Sequence, residues 1–117
     1  GINALTAILA VPNGALAETY PLKLVSAAVT EAVEVANAKG ITLPYTDPQA
    51  QLRAVIEATA TNRSSMLSDV TRETLTEITV INQVIVQEGE RLGISTPINQ
   101  CLVWLVKAKE AAYISRR

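Results

Sequence analysis

Residues 62–70 read NRSSMLSDV and separate two segments whose apolar side chains recur every three or four positions. That spacing is typical of amphipathic helices, so helices are predicted over residues 48–61 and 76–92. A short helix over residues 65–70 is predicted between them. A helix start needs one capping side chain, yet residues 62–65 are all polar. The excess of polar side chains suggests a second role beside capping.

The same periodicity extends through the rest of the chain. It predicts helices from residue 2 to the turn at 12–14, over residues 21–39, and from Pro97 onward. Because the spacing starts at Ile2 with no capping residue before it, the first helix is expected to begin upstream of Gly1. No segment alternates as a half-buried strand does. The predicted fold is all-α, with about six helices in one domain.

Composition narrows the classes of function. The chain has 117 residues with three Tyr, one Trp and no Phe, so its core is expected to be aliphatic. Ten basic and eleven acidic residues give a net charge of −1 without a long block of either sign, which argues against a nucleic-acid surface. Basic residues 107, 109, 116 and 117 are interpreted as the solvated end of the last helix.

Three absences have chemical consequences. No apolar run approaches the roughly 18 residues of a membrane span. A single cysteine and no signal-peptide pattern favour a reducing, cytoplasmic location. Histidine is absent, which excludes histidine-based catalytic triads and histidine-ligated metal sites within this chain.

Five polar residues are candidates for binding a ligand: Asn3, Asn13, Asn62, Ser64 and Ser65. Asn13 lies in a Val-Pro-Asn-Gly turn, where an asparagine can serve the turn alone, and Asn3 could equally be a satisfied helix asparagine. One of the other three could cap the short helix, whereas together they could hold an anion such as a carboxylate. The residues alone leave both interpretations open.

The fifth predicted helix has structural interpretations. Thr74 and Glu77 fit a capping box, with Glu77 at the third helical position. An apolar stripe widened by Val80 and Val86 predicts a central position for this helix. Its glycines at residues 89 and 93 predict close packing against a neighbouring helix.

Structural roles are also predicted for several residues near other helices. Asp69 and Arg72 have the spacing of a surface ion pair on one helix. Cys101 has apolar neighbours at helical spacing and is predicted to be a small core residue. Trp104 and Tyr113 are interpreted as core or interface aromatics.

Four blocks of the chain resemble the ketopantoate reductase (2-dehydropantoate 2-reductase) family, in order and at family-like spacing. They are INALTA at 2–7, VPNG at 11–14, NRSSMLSD at 62–69 with TEI at 76–78 and IN at 81–82, and GISTPIN at 93–99. One block alone has little specificity, but together they cover essentially the whole chain. The resemblance implies the helical C-terminal domain of such an enzyme, similar to that of 6-phosphogluconate dehydrogenase, without the Rossmann domain.

The resemblance also implies a function. Ketopantoate reductases reduce 2-dehydropantoate to (R)-pantoate with NADPH, a step in pantothenate and coenzyme A biosynthesis, in a cleft between the two domains. By resemblance, Asn3 and Asn13 hydrogen-bond the hydroxyl and oxo groups of the substrate, and Ser65, with Asn62 nearby, holds its carboxylate. Glu77 is similar to the family's cleft glutamate, which faces the cofactor ribose and the catalytic lysine. The family's proton-donating lysine would fall before Gly1, so residues 1–117 alone are expected to be inactive.

Departures from the family pattern keep other functions open. Ala4 stands where the family usually has Pro, Thr74 and Thr79 replace charged residues, and Gln83 replaces a Gly. They leave room for a related dehydrogenase acting on another 2-oxo acid. A further alternative is a helical dimerisation module, and a homodimer is compatible with either enzyme.

Overall fold

The structure is a computed structural model that describes residues 1–44 and 46–116. Its helices are α1 (Ile2–Leu9), α2 (Thr19–Ala38), α3 (Pro48–Ala58), α4 (Ser65–Thr71), α5 (Asn82–Leu92) and α6 (Pro97–Ser115), with a 3-10 turn at Asn13–Ala17. Six α-helices and no strand within those ranges confirm the predicted all-α fold. Tyr45, and Arg117 of the predicted basic end, lie outside the described residues.

Helix α1 lies at the centre of the packing. Its Ala4, Leu5 and Ala7 are all but fully buried, and the helix packs mainly against α4 and α6. Helix α2 packs against α3 and the 3-10 turn, and α5 packs against α6 and α2. The buried apolar side chains are mostly Ala, Val, Leu and Ile, as the composition predicts.

Local signals account for where several helices begin and end. The Asp47 carboxylate accepts hydrogen bonds from the N–H groups of Gln49 and Ala50 at 3.1 Å, which confirms the predicted start of α3. Helix α5 ends at Leu92 and is capped by Gly93, whose φ of 72° is in the left-handed region that glycine adopts without a steric penalty.

The predicted start of the fifth helix is wrong. Helix α5 begins at Asn82, not near residue 76, so Glu77 is not at its third position. The reason is a long-range contact: the Thr76 N–H and hydroxyl both donate to the Glu110 carboxylate of α6 at 2.7 Å. The Thr76 hydroxyl oxygen also accepts from the Ile78 N–H, which fixes a non-helical turn.

The predicted central position of that helix is also wrong. Val80 and Val84 are 65% and 45% exposed, and Gly89 packs against the loop that follows α5 rather than against another helix. A Cβ on Gly89 would lie 2.8 Å from the Ile94 carbonyl oxygen. The short connection to α6 folds back onto α5 at this point.

Helix α6 buries a different face from the one predicted. Cys101 is exposed, not in the core, because the buried stripe runs through Leu102, Val106 and Tyr113. Trp104 is 65% exposed, whereas Tyr113 is a core aromatic as predicted. In the described ranges, none of the helices has the length and apolar character needed to cross a bilayer.

Candidate functional site

A pair of hydroxyl groups joins α1 to the start of α4. The Oγ1 of Thr6 and the Oγ of Ser64 are 2.7 Å apart, and both residues are buried. The Ser64 Oγ also accepts the Leu67 N–H at 3.0 Å, so Ser64 is the residue that caps α4. One of the two interpretations of residues 62–65, helix capping, is therefore confirmed for Ser64.

The turn after α1 is bound to the connection between α3 and α4. The Asn13 N–H donates to the Asn62 carbonyl at 2.9 Å, and the Gly14 N–H donates to the Ala60 carbonyl at 2.9 Å. A Cβ on Gly14 would lie 2.9 Å from both the Cβ and the carbonyl oxygen of Ala60. Only glycine allows these two backbones to approach so closely.

These contacts bring the five candidate residues to one place, which we name the polar corner (Asn3, Asn13, Asn62, Ser64 and Ser65). The backbone of Asn13 is hydrogen-bonded to the backbone of Asn62. The Asn3 carbonyl lies 3.0 Å from the Thr6 hydroxyl, which in turn contacts Ser64. Asn62 and Ser65 are exposed, Asn3 is partly buried, and Asn13 and Ser64 are buried. Residues of α1, of the turn after it and of the start of α4 are thus brought together.

The side chains of the polar corner differ in how their hydrogen-bonding groups are used. Among residues 1–44 and 46–116, the side chains of Asn3, Asn62 and Ser65 make no hydrogen bond. The Asn13 amide donates to the Thr59 hydroxyl at 2.9 Å. Its Oδ1 is buried and accepts no hydrogen bond from the described residues, so this oxygen is an unsatisfied acceptor.

Other polar residues of the same family block have different positions. The Arg63 guanidinium turns along α4 and donates to the Thr71 hydroxyl at 3.2 Å. Glu77 lies on the non-helical segment before α5 with its side chain exposed, and no hydrogen bond within the described ranges joins it to the polar corner. Asp69 and Arg72 form the predicted ion pair at 3.1 Å.

An apolar cavity of about 410 Å³ adjoins the 3-10 turn at Gly14. Its lining includes Leu22, Ile56 and Ala60, with Arg53 and Glu57 as the charged residues. Its volume is within the range of small-molecule sites. Sequence reasoning missed it because its walls come from the 3-10 turn, α2 and α3, which share no motif.

Comparisons with known proteins place these features in a family. Residues 1–110 match the family described as "Ketopantoate reductase PanE/ApbA C terminal". The chain belongs to that family. It is 40% identical over 111 residues to a 2-dehydropantoate 2-reductase from Pyrobaculum aerophilum, covering 94% of this chain and 39% of the relative. It therefore spans about two fifths of the length of that curated relative.

Solved structures give the same relationship. A PanE/ApbA family ketopantoate reductase from Ralstonia eutropha JMP134 superposes with a TM-score of 0.88 at 32% identity, covering 94% of this chain and 37% of that one. D-mandelate dehydrogenase, solved with NADH and anilino(oxo)acetate, gives a TM-score of 0.86 at 32% identity, covering 96% and 63%. The helical domain is thus shared by proteins whose names refer to different acids.

A second polar group, which we name the buried amide cluster (Glu31, Asn82 and Asn99), joins two asparagines of the family blocks to a carboxylate of α2. The Glu31 carboxylate accepts from the N–H groups of Ile98 and Asn99 at 2.8 and 2.9 Å and from the Asn99 Nδ2 at 2.8 Å. The Asn82 Nδ2 donates to the Asn99 Oδ1 at 2.9 Å. Glu31 therefore caps α6, whose own Thr96 makes no side-chain capping bond.

Sequence reasoning missed Glu31, although one signal was present. Glu31 follows Val25 and Ala28 at helical spacing, so it is a carboxylate on the apolar face of α2. A charged residue in such a stripe needs hydrogen-bond donors, because an unpaired buried charge is very costly. The donors are at the start of α6, 67 residues further along the chain, and local patterns do not reveal that distance.

Proposed function

We propose that residues 1–117 form the helical substrate-binding domain of an NADPH-dependent 2-dehydropantoate 2-reductase, which makes (R)-pantoate for pantothenate and coenzyme A biosynthesis. The observation that carries the proposal is the polar corner, where five polar residues from three segments converge in a member of this family. The remaining three fifths of the protein would supply a Rossmann domain and the proton-donating lysine. A cytoplasmic location is part of the same proposal.

The unpaired donors of the polar corner suit a carboxylate. The Asn62 amide and the Ser65 hydroxyl are exposed and free of partners among the described residues, so both can donate hydrogen bonds to an anion. Ser64 lies between them in the chain and fixes the backbone from which both extend. We therefore assign the substrate carboxylate to this stretch.

The two asparagines on the other side suit the substrate's hydroxyl and oxo groups. Asn3 has an unpaired amide within the described ranges, and its N–H groups can donate to an oxo oxygen. The Asn13 Oδ1 can only accept, and a substrate hydroxyl would supply the missing donor. Because Oδ1 is covered by protein atoms, this contact requires the Asn13 side chain to turn away from Thr59.

The proposed cofactor is NADP, bound mainly by the domain that precedes these residues. When bound, it supplies the hydride that reduces the 2-oxo group. No dinucleotide-binding glycine motif occurs in this chain. Glu77 presents an exposed carboxylate without a partner among the described residues, and a carboxylate can accept hydrogen bonds from ribose hydroxyls. We assign Glu77 to that contact.

The test is steady-state NADPH oxidation by the full-length protein that contains residues 1–117. Replacing Asn62 or Ser65 with Ala should raise KM for 2-dehydropantoate about tenfold or more, since a hydrogen bond to a charged group is worth roughly 1.5–3 kcal/mol. Thr61→Ala is the matched control, because Thr61 is an exposed hydroxyl residue in the same connection. Unchanged KM in both site variants, or an equal rise in the control, would reject the assignment.

A second candidate is a dehydrogenase for another 2-oxo acid. The likeness to D-mandelate dehydrogenase at a TM-score of 0.86 and 32% identity favours it specifically. Comparing kcat/KM for 2-dehydropantoate with that for the 2-oxo acid of mandelate separates the two. A higher value for the aromatic acid would favour the second candidate.

We also propose that this domain forms a homodimer. Trp104 of α6 is 65% exposed and lines a groove between α5 and α6 together with Gln83 and Val103. Large exposed aromatic side chains of this kind are enriched at protein interfaces. Sedimentation of the wild type and of Trp104→Arg tests it: a dimer that dissociates in the variant is expected, and a monomeric wild type would refute it.

A further inference from the structure

Thr6 is absent from the proposed substrate contacts, yet it lies between them. Its Oγ1 is 2.9 Å from the Ile2 carbonyl oxygen, 3.0 Å from the Asn3 carbonyl oxygen and 2.7 Å from the Ser64 Oγ. Thr6 is 0% exposed and Ser64 is 6% exposed, so water does not replace these contacts. The two hydroxyls therefore have to satisfy one another and their backbone neighbours.

One arrangement of the hydrogens gives both hydroxyls a donor role and an acceptor role. In it the single Thr6 hydroxyl hydrogen is donated to the carbonyls of Ile2 and Asn3, which can only accept. The Leu67 N–H can only donate, and it donates to the Ser64 Oγ. The Ser64 hydrogen is then the one left to bridge the two hydroxyls, and Thr6 accepts it.

From this directed chain we infer that Thr6 and Ser64 are a positioning pair for the substrate site. This row of hydrogen bonds runs from the Leu67 N–H through Ser64 and Thr6 to the Asn3 carbonyl. It connects α4 to the turn of α1 that carries Asn3. In this arrangement Thr6 accepts the Ser64 hydrogen, and Ser64 has none left to donate to the substrate. The pair instead sets the distance between Asn3 and the residues 62–65.

This inference rests on the proposed function and gives it a distinctive consequence. A substrate that touches Asn3 with its oxo group and Asn62 and Ser65 with its carboxylate depends on the separation of these residues. Once the Asn3 amide is removed, the pair has no substrate contact left to position at that end. Asn3→Ala therefore gives a background in which loss of the pair should have little further effect.

The experiment measures kcat and KM for 2-dehydropantoate in the full-length protein, with and without Asn3→Ala. Thr6→Val keeps the shape of the side chain but removes the acceptor for Ser64, and should lower kcat/KM about tenfold. Added to Asn3→Ala, the same change should lower kcat/KM only about twofold further, since the contact that it positions is already lost. Thr6→Ser restores the hydroxyl and should return kcat/KM to near the wild type.

A second variant covers the case in which Thr6→Val does not fold. Ser64→Ala removes the hydrogen from the other end of the pair and should show the same dependence on Asn3. Adding Thr6→Val to it should cause little further loss, because both changes break one contact. An equal loss of kcat/KM with and without the Asn3 amide would overturn the inference and leave only a structural role.

The result also separates this inference from the proposed function. If Ser65→Ala raises KM as expected while Thr6→Val and Ser64→Ala change nothing, the positioning pair is refuted and the substrate site stands. If the wild type does not reduce 2-dehydropantoate, the proposed function fails, and the positioning pair with it.

Discussion

The polar corner and the buried amide cluster have similar compositions but differ in how their hydrogen-bond donors are used. Both contain asparagines from family-like blocks, and both join helices that are distant in sequence. In the buried amide cluster the donors are used within the protein: Asn99 donates to Glu31 and to the Ala28 carbonyl, and Asn82 donates to Asn99. In the polar corner, Asn62 and Ser65 keep their donors exposed.

The difference teaches how to separate structural from ligand-binding residues in a family motif. Each group retains one buried amide oxygen without a described partner, on Asn82 and on Asn13, so unsatisfied acceptors do not separate them. Exposed hydrogen-bond donors without a described partner do distinguish the polar corner from the buried amide cluster. Stability should therefore depend on the buried amide cluster, and substrate binding on the polar corner.

The largest effect is expected at Glu31. Replacing it with Leu leaves the N–H groups of Ile98 and Asn99 without their acceptor in a buried site, and should lower the free energy of unfolding by about 3 kcal/mol. Urea denaturation followed by circular dichroism measures this change. Glu34→Leu, an exposed carboxylate on the same helix, is the control and should stay near the wild type. Equal stability of both variants would contradict the structural role.

A smaller effect is expected at Gly14, and it should reach the polar corner. Alanine there places a Cβ 2.9 Å from Ala60 and forces the turn away from the α3–α4 connection, at a cost of about 2 kcal/mol. Because Asn13 and Asn62 are bonded across this contact, KM for 2-dehydropantoate should rise as well. The measurements are thermal unfolding and steady-state kinetics.

Gly40→Ala is the matched control for that prediction. Gly40 has a φ of 76°, and a Cβ added there would have no described atom within 4 Å, so its substitution costs only about 1 kcal/mol of backbone strain. It lies at the end of α2 and should leave KM unchanged. If both glycine variants altered KM equally, the contact between Gly14 and Ala60 would not be what positions the polar corner.

A near-zero effect on stability is expected at Asn62 and Ser65. Both side chains are exposed and make no described hydrogen bond, so Ala at either position should change the free energy of unfolding by less than about 0.5 kcal/mol. The same denaturation experiment checks it. A loss as large as that of Glu31→Leu would mean that the polar corner is structural, and the comparison would fail.

The sequence predicted much of this arrangement, for physical reasons that differ between regions. Helix periodicity is local, so the number of helices was predicted, as was the Asp47 start of α3. The start of α5 was not, because Glu110 holds Thr76 across 34 residues and outcompetes the capping box. Glu31 was missed for the same reason, and the convergence of Asn13 on Asn62 became visible only through backbone hydrogen bonds.

The smallest effect concerns a surface contact that belongs to neither group. The Glu88 carboxylate contacts Arg91 at 2.8 Å and Lys39 at 3.3 Å, which connects α5 to the end of α2. The hydrogen bond from Arg91, followed by that from Lys39, lowers the pKa of Glu88 below its usual range. Because the pKa of Glu88 is lower in the folded state, this contribution to stability is present above the pKa of the carboxyl in the unfolded state. It is lost as the pH falls through the pKa in the folded state.

Glu88→Gln should therefore reduce stability slightly near neutral pH and match the wild type in acid, as measured by thermal unfolding across that range. A difference between the two proteins that persists unchanged in acid would show that Glu88 acts through packing rather than charge.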